Sequence, residues 1–279
     1  MNLRIPKASD RIEKGVPLKN ILGPEAIECL AHNLSQVYPD FDSHGFTEQA
    51  LQGLEPIGIM DRGKRFAELM HRHLPKPYEA AIECILASLT PPLEDTKDNG
   101  LEVFFYLPHI TFIAEYGLNP ELNAGNDPFD ISIKAQYELT KRFTAEFSIR
   151  PYLIEQQDRT LQQLAQWLGD PDPHVRRLCS EGTRPRLPWA KRIPAFIKDP
   201  TPALPILEAL KDDPSLYVRR SVANHRGDIA KDHPDLVFDI CKAWLKDASK
   251  ERKWLIRHAV RHPAKKEHPK ALELRKLAK

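Results

Sequence analysis

A repeated pattern of helix pairs after residue 130 constrains the fold more than any other feature of the sequence. Four short segments align with one another, and a pair of basic residues precedes each of them. They are FTAEFSIRP after 141–142, LCSEGTRPR after 176–177, SVANHRGDI after 219–220 and AVRHPAKKE after 257–258. Successive copies are 35, 43 and 38 residues apart. Apolar residues at helical spacing and turns rich in Asp and Pro indicate two helices in each copy.

Two antiparallel helices in roughly 40 residues is the period of HEAT-like repeats. One such pair cannot bury its apolar face alone, so neighbouring pairs stack into a curved array. We therefore predict an all-α fold, a HEAT-like α-solenoid with a basic concave groove, as a single domain over residues 1–279. Within it we expect an N-terminal arm at 1–23, irregular helical repeats at 24–125 and regular repeats at 126–279.

The N-terminal half shows helical periodicity without a clear repeat. Helices are predicted at 24–38, 44–54, 61–73 and 77–89, each bounded by Pro, Gly or Asp. We interpret 90–100 as a loop. The apolar run LEVFFYLPHITFIAEYGL at 101–118 is predicted to be a buried helix, with a ligand pocket as the alternative. No sustained two-residue alternation occurs, so few strands are expected.

The composition indicates in which cellular compartment the protein works. No run of about 18 apolar residues predicts a membrane span, and the N-terminus lacks the apolar region of a secretory signal. The four cysteines are isolated in the sequence, which favours reduced thiols over a zinc site or a disulfide framework. We therefore expect a cytoplasmic protein.

Charge is distributed unevenly along the chain. Residues 141–279 contain 29 Lys and Arg against 18 Asp and Glu, a net charge of +11, whereas residues 1–140 carry −9. A basic half is typical of a protein that binds a polyanion, although a solvated basic surface is the alternative.

The second helix of each predicted repeat carries two polar residues four positions apart, on the side away from its apolar face. The pairs are Arg142/Glu146, Arg177/Glu181, Arg220/Asn224 and His258/His262. Further cations follow in the predicted loops, namely Arg184, Arg186, Lys191, Arg192, His225, Arg226, Lys265 and Lys266. Stacking would line these residues along the concave surface, which predicts a basic groove containing two carboxylates. The two histidines have the helical spacing of a metal pair, but no clear third ligand accompanies them, so we expect them to contact a phosphate or to form plain surface.

The two carboxylates admit a structural and a functional interpretation. Each Glu could pair with the Arg one turn earlier, which contributes about 0.3–0.5 kcal/mol in the favourable order, but the order here is reversed. We predict Gly182 to be the residue just past the helix end, which puts Glu181 at the negative end of the helix dipole at a cost of about 0.3–1 kcal/mol. Glu146, shortly before Pro151, is expected to experience a weaker version. Acidic residues at these positions reduce helix stability and weaken the binding of a polyanion in the groove, so we favour a functional role for them.

A carboxylate inside a basic groove suits a reaction in which positive charge develops on a sugar. Cleavage of an N-glycosidic bond passes through an oxocarbenium-like transition state, which a nearby carboxylate stabilises. The same group can orient or deprotonate the attacking water. If the leaving base is already cationic, no general acid is required.

Several stretches carry a resemblance to one enzyme family. They are GVPLKNIL (15–22), YPDFD (38–42), FTAEFSIRPYL (143–153), VRRLCSEGTRPRLPW (175–189) and SVAN with DIAKDHPDLV (221–224 and 228–237). With these, nearly the whole chain resembles the AlkC branch of the AlkC/AlkD superfamily of HEAT-like-repeat DNA glycosylases. The resemblance implies excision of positively charged alkylated bases, N3-methyladenine and N3-methylcytosine, from double-stranded DNA without flipping the base into a pocket. It also implies a monomer in the bacterial cytosol or nucleoid that uses no metal and no cofactor. Some members carry a C-terminal immunoglobulin-like domain, which we do not expect after Lys279.

The resemblance also implies roles for individual residues. Glu146 and Glu181 match the catalytic acids, and Trp189 matches an aromatic residue that packs near the deoxyribose of the lesion, with a loop anchor as the alternative. Arg177 would position a phosphate or Glu181. Asp228 is expected to assist from a loop or to cap the next helix. The remaining candidates for DNA contact are Arg142, Arg184, Arg186, Lys191, Arg220 and Asn224.

Two other functions stay open at this point. A non-catalytic HEAT-like scaffold that binds DNA or protein would explain the basic surface but gains nothing from acids at helix ends. A hydrolase acting on another nucleic-acid or nucleoside bond would use the same groups.

Overall fold

The computed structural model describes residues 2–97 and 100–279. Every regular element in these ranges is a helix, which confirms the predicted all-α class. The chain divides into two compact units, Met1–Ser148 and Ile149–Lys279, and each is described by itself below. The curved groove and the single-domain organisation stay predictions.

The N-terminal unit contains six α-helices and three short 3-10 helices among its described residues. The α-helices are α1 (Pro24–Val37), α2 (Ser43–Leu51), α3 (Ile59–His73), α4 (Tyr78–Ala87), α5 (Leu107–Tyr116) and α6 (Phe129–Thr140), and the 3-10 helices are Leu18–Leu22, Glu102–Tyr106 and Pro120–Asn123. The first four α-helices confirm the predicted segments to within a few residues. Pro24 opens α1, as expected for a residue without an N–H to satisfy.

The aromatic run divides into a 3-10 turn followed by α5. Pro108 lies in the first turn of α5, and the preceding residues form the tighter helix. Phe105 and Phe112 are fully buried, and Phe112 packs against Tyr116 with ring centroids 5.0 Å apart. The run is therefore core, as predicted. The loop predicted at 90–100 has no regular structure over 90–97, and its residues 98 and 99 lie outside the described residues.

A buried arginine ties the N-terminal arm to its unit. The Arg62 guanidinium is 2% exposed and donates to the carbonyls of Lys19 at 2.9 Å and Leu22 at 3.1 Å. It also donates to the carbonyls of Leu54 and Ile57, both at 3.0 Å. One side chain thus supplies donors to four carbonyl groups outside the α-helices, two of them in the first 3-10 helix.

The C-terminal unit contains the predicted helix pairs. Its α-helices are α7 (Ile149–Glu155), α8 (Gln157–Gln166), α9 (Pro173–Gly182), α10 (Pro194–Lys198), α11 (Leu204–Leu210), α12 (Leu216–Ile229), α13 (Pro234–Trp244), α14 (Lys250–Ala259), α15 (Arg261–Lys265) and α16 (Pro269–Leu277). The pairs α8/α9, α11/α12 and α13/α14 confirm three of the four repeat copies. The middle second helix, α12, packs against both α9 and α14. A Cβ at Gly227 would lie 3.4 Å from the carbonyl oxygen of Ala259, so α12 and α14 lie close together at this glycine.

The first repeat copy was predicted wrongly. Helix α6 ends at Thr140, and the residues from 141 to 148 form turns rather than a helix. Local side-chain hydrogen bonds replace helical ones there: Ala145 N–H donates to Thr140 Oγ1 at 3.4 Å, and Ser148 Oγ donates to the Ala145 carbonyl at 3.1 Å. Such Ser and Thr bonds compete with the helical ladder.

Two predictions from composition can be compared with the described residues. No helix within residues 2–97 and 100–279 is long and apolar enough to cross a membrane. All four cysteines are free thiols, three of them buried and Cys84 half-buried. Burial raises the pKa of the Cys241 thiol to about 12.

Candidate active site

Helix α9 ends at Gly182 without a left-handed backbone, and close packing explains why this residue is glycine. We predicted Gly182 to lie just past the helix, but it is the last helical residue, and its φ is not positive. A Cβ at this position would lie 2.6 Å from Cγ2 of Ile149, so only glycine fits. The Thr183 hydroxyl donates back to the Cys179 carbonyl at 2.7 Å, and Pro185 follows. The chain therefore leaves the helix directly after Glu181 and Gly182.

A buried arginine holds the segment that follows. Arg150, fully buried in α7, donates from Nη1 to the carbonyls of Gly182 at 2.9 Å and Arg184 at 2.8 Å. Its Nε donates to the carbonyl of Lys191. Arg150 thus satisfies a carbonyl at the C-terminus of α9 and fixes both ends of the segment 183–193, which we call the arm.

Glu181 is buried at the end of α9. We expected its side chain to point away from the core, but it is only 5% exposed because α12 packs over it. Its Oε1 accepts from Arg184 Nη1 at 2.5 Å and lies 3.5 Å from Arg177 Nη2. Its Oε2 accepts from the Ser221 hydroxyl of α12 at 2.6 Å. We call Glu181, Arg177, Arg184 and Ser221 the Glu181 cluster.

The Glu181 cluster keeps the carboxylate charged. Burial by itself would raise the pKa of Glu181, but the charges of Arg177 and Arg184 and the hydrogen bond from Ser221 lower it below the ordinary value of 4.5. Opposite charges and donors to the ionised form outweigh desolvation in this cluster. At neutral pH the side chain is therefore an anion, and it cannot act as a general acid.

Asp228 extends the network on the other side of Arg184. Arg184 Nε donates to Asp228 Oδ2 at 2.8 Å, and Lys231 Nζ donates to Asp228 Oδ1 at 2.9 Å. We predicted Asp228 in a loop or at a helix N-terminus, and this was wrong: it is buried in the last turn of α12. The helix continues because no proline follows until Pro234. Arg184, predicted as a groove cation, is likewise buried between two carboxylates.

The arm presents Trp189 to solvent. The indole is 69% exposed, whereas Leu187 and Ile193 on either side are buried. Leu187 and Ile193 anchor the arm, so the loop-anchor interpretation of Trp189 is not supported. The backbone of Trp189 has a φ of 64°, a left-handed conformation that is unusual for a bulky residue.

The remaining predicted cations differ in how they are engaged. Arg186 makes a two-point ion pair with Asp232, at 2.7 and 2.8 Å, while Lys191, Arg192 and Arg220 are exposed. Arg177 lies over the ring of Tyr217, 5.2 Å from its centroid. His225 and Arg226, which we expected among loop cations, are buried inside α12. Their sequence neighbours continue the helix, so they never reach a loop.

Asn224 occupies in α12 the position that Glu181 occupies in α9. Its Oδ1 accepts from Nε2 of His258 and from Nη2 of Arg261, both at 3.0 Å. His258 also stacks on Trp254, with ring centroids 5.0 Å apart. We call Asn224, His258 and Arg261 the Asn224 cluster. No group of three or more metal-ligating side chains occurs among the described residues.

Glu146 and Arg142 belong to the N-terminal unit. They lie in the turns after α6 rather than on one helix face, so their expected helical pairing was wrong. Arg142 donates to the Thr90 carbonyl at 2.5 Å and to Glu138 Oε2 at 3.0 Å. Glu146 is 8% exposed, and its Oε2 accepts from Thr144 Oγ1 at 2.9 Å.

Sequence reasoning missed two residues that shape the site. Arg150 lies within the motif FTAEFSIRPYL, but a buried cation that binds three carbonyls leaves no local pattern. Ser221 belongs to the SVAN segment, and its partner Glu181 is 40 residues away in sequence. Only the order of the stacked helices brings them together.

Comparison with known proteins assigns the family. No family model matches the sequence. The chain is 38% identical over 258 residues to the uncharacterized protein YhaZ of Bacillus subtilis strain 168, across 92% of this chain and 67% of that protein. The structure of this chain matches that of Pseudomonas fluorescens alkylpurine DNA glycosylase AlkC bound to DNA containing an abasic site analog. The TM-score is 0.81 at 36% identity, over 93% of this chain and 67% of AlkC.

The chain belongs to the AlkC family of HEAT-like-repeat DNA glycosylases. The resemblance inferred from the sequence is therefore confirmed at the level of family. Within the AlkC family, the assignments of individual residues stay predictions, and they are taken up below with the geometry just described.

Proposed function

We propose that this protein is a DNA glycosylase that removes positively charged alkylated bases, N3-methyladenine and N3-methylcytosine, from double-stranded DNA. The observation that carries the proposal is a buried, ionised carboxylate, Glu181, at the end of α9, where the exposed Trp189 arm begins. Membership of the AlkC family supports the reaction class. AlkC itself is an alkylpurine DNA glycosylase, and its structure contains an abasic site analog.

The proposed reaction needs no proton donor. The N-glycosidic bond breaks, its electron pair moves to the base, and the cationic base leaves as a neutral molecule. Positive charge then develops on the deoxyribose, and water adds at C1′ with loss of a proton to give an abasic site. The lesion's own charge makes the base a good leaving group, so stabilisation of the sugar cation is the main requirement.

Glu181 suits electrostatic stabilisation better than proton abstraction. Its lowered pKa makes the carboxylate a weak base but keeps it fully charged when the sugar cation forms. Each of its oxygens already accepts one strong hydrogen bond, from Arg184 or Ser221, and each retains capacity for another donor. In the proposal, Glu181 and Glu146 together stabilise the oxocarbenium and place the attacking water.

The exposed residues supply the DNA contacts. We assign Trp189 to packing against the deoxyribose of the lesion, where its π face also attracts a developing cation. Lys191 and Arg220 would contact backbone phosphates, and Arg177 would hold Glu181 in place. The protein would act as a monomer on the duplex without flipping the base.

Base release from methylated DNA tests the proposal. Wild type, Glu181→Gln and Glu146→Gln are incubated with duplex DNA carrying N3-methyladenine or N3-methylcytosine, and released bases are identified by mass spectrometry. We expect Glu181→Gln to slow release on the order of 10²–10³-fold, because a preorganised charge is lost. Glu273→Gln, which removes an exposed carboxylate of α16, is the matched control and should behave as wild type.

The outcomes separate the competing functions. Undiminished release by Glu181→Gln would remove the role assigned to Glu181. DNA binding with steep salt dependence but no release by wild type would indicate a scaffold. Release of normal bases or nucleosides would indicate a hydrolase of another bond.

A further inference from the structure

A cationic cleft lies beside the Glu181 cluster in the C-terminal unit. It has a volume of about 290 Å³, and α12, α14, α15 and the arm contribute its walls. Its charged lining residues are Arg184, Asp228, Lys231, Arg261 and Lys265, with His262 at the same wall. With His262 counted as neutral, the four cations and one carboxylate give the cleft lining a formal charge of +3. The cleft is therefore suited to an anion.

The single carboxylate does not neutralise the cations on the far wall. Asp228 is engaged by Arg184 at 2.8 Å and by Lys231 at 2.9 Å. Arg261 instead donates to two neutral oxygens, the His258 carbonyl at 2.8 Å and Asn224 Oδ1 at 3.0 Å. These bonds orient the guanidinium but leave its charge uncompensated, and a guanidinium has five N–H donors.

The electrostatics of Arg261 agree with an excess of positive charge. Partial burial and the nearby charge of Arg184 lower the pKa of Arg261, and Asp228 offsets this only in part. An anion bound in the cleft would restore the balance. An Arg fork beside a Lys ammonium matches the tetrahedral oxygens of a phosphate group.

The position of the cleft identifies the source of that phosphate. Arg184 lines the cleft with Nη2 and Nε on Asp228 and reaches the Glu181 carboxylate with Nη1. Pro188, also in the wall, directly precedes Trp189. A ligand in the cleft is thus one residue away from the proposed sugar contact and one side chain away from the proposed catalytic acid. This continuity favours a phosphate of the DNA backbone over a free phosphate ion.

We propose that the cleft binds one backbone phosphate of the DNA, with Arg261 and Lys265 as its charged contacts. The proposal rests on the proposed function, since it takes DNA as the substrate. It assigns residues of the last repeat to the grip on the lesion strand, and it makes Arg261 a link between the Asn224 cluster and DNA.

Salt-dependent binding measures the contact. Affinity for a duplex with a tetrahydrofuran abasic analog is determined by fluorescence anisotropy from about 50 to 200 mM salt. Arg261→Gln and Lys265→Ala should each reduce the slope of log affinity against log salt by up to about 0.9, the value for one phosphate contact. Arg275→Ala, which removes an exposed cation of α16 outside the cleft, should keep the wild-type slope.

A scan of the DNA locates the phosphate. Neutral methylphosphonate is placed at one backbone position at a time, and each duplex is bound to wild type and to Arg261→Gln. At one position the methylphosphonate should clearly weaken DNA binding by wild type but weaken binding by the variant much less, because the variant has already lost its Arg261 contact with that phosphate. Lys265→Ala provides the second variant, since its exposed side chain can be removed without touching the hydrogen bonds of Arg261. Thermal unfolding of each variant checks the fold.

Several results would overturn the assignment. Unchanged salt slopes for both cleft variants, or a scan in which every position affects wild type and variant equally, would contradict it. Competition by inorganic phosphate that Arg261→Gln abolishes, together with a flat scan, would identify free phosphate as the ligand instead. Base release is measured separately. If wild type shows the scan signal but releases no bases, the phosphate assignment of the cleft stands and the proposed glycosylase function is contradicted.

Discussion

The Glu181 cluster and the Asn224 cluster occupy equivalent positions in successive repeats but differ in the charge of the group that accepts the hydrogen bonds. In the first, a carboxylate receives two arginines and the Ser221 hydroxyl. In the second, a neutral amide receives His258 and Arg261. Both polar groups connect one second helix to the next. In these two repeats the position holds a hydrogen-bond acceptor, and the bonds between neighbouring second helices form with a charged or a neutral one.

The two helices also continue differently after the acceptor. Helix α9 ends one residue beyond Glu181, whereas α12 continues five residues beyond Asn224. The carboxylate therefore lies at a helix C-terminus, where the dipole disfavours it, and two cations compensate. The comparison indicates that the charge at Glu181 serves something other than repeat stacking.

Removal of Arg184 should have the largest effect on stability. Arg184→Met leaves the buried carboxylates of Glu181 and Asp228 without their shared cation, and loss of one partner from such a pair costs about 3–5 kcal/mol of unfolding free energy near neutral pH. Urea unfolding measures it. Arg186→Met is the control, because the more exposed Arg186–Asp232 pair is worth only about 0–1 kcal/mol.

The sign of the pH dependence sharpens this prediction. In wild type the lowered pKa of Glu181 stabilises the fold above 4.5, and this contribution is lost as pH falls through the folded-state pKa. In Arg184→Met, burial should raise the pKa of Glu181, so protonation of this carboxylate partly restores the stability of the variant as pH falls. The difference between the two proteins should shrink toward acid pH, and a constant difference would contradict the charge-pair interpretation.

Removal of Ser221 should have an intermediate effect. The position equivalent to Ser221 in the next repeat is Ala259, where no side-chain donor exists and His258 and Arg261 serve instead. Ser221→Ala removes a hydrogen bond to a charged group, at a cost of about 1.5–3 kcal/mol. The pKa of Glu181 should rise, because a donor to its ionised form is lost.

The pH profile of base release distinguishes a positioning role for Ser221 from a purely structural one. Single-turnover rates of Ser221→Ala should begin to fall at a higher pH than those of wild type as the solution is acidified. Ser221→Thr, which keeps the hydroxyl, should restore the wild-type profile. Identical acid limbs for wild type and Ser221→Ala would show that Ser221 only supports packing.

Removal of His258 should have the smallest effect. His258→Phe loses one neutral hydrogen bond to Asn224, worth about 0.5–1.5 kcal/mol, and retains stacking on Trp254. Burial, with the charges of Arg261 and Arg220, lowers the pKa of His258 to about 4. The unfolded chain therefore takes up this proton first as pH falls below 6.5, and wild type loses stability between 6.5 and about 4. The difference in unfolding free energy between wild type and His258→Phe, measured in urea, should decrease across that range. The difference between wild type and Asn224→Ala should not, because that variant retains the histidine.

The sequence predicted the helices well because their signals are local. Apolar spacing and the Asp-Pro turns were sufficient for α8/α9, α11/α12 and α13/α14. The same alignment failed at Glu146, where hydrogen bonds of Thr140 and Ser148 end the helix without disturbing the apolar pattern. It failed at Asp228 because α12 lacks the prolines that turn the chain away after α9.

The burial of Glu181 was beyond local patterns. Its position after Arg177 suggested an exposed helical pair, whereas Ser221 and Arg184 enclose it. A polar face that looks outward on one helix becomes an interior surface once the next repeat packs on it. Position in the repeat was predictable, but the solvent exposure of that position was not.

The left-handed backbone of Trp189 has a consequence for how the arm meets a ligand. A non-glycine residue with a φ of 64° costs on the order of 1–3 kcal/mol and persists only where its surroundings enforce it. Arg150, Leu187 and Ile193 supply that enforcement from the protein side. The backbone that carries the indole is thus preorganised: its loss of freedom occurs during folding, and a duplex that meets Trp189 need not order the arm again.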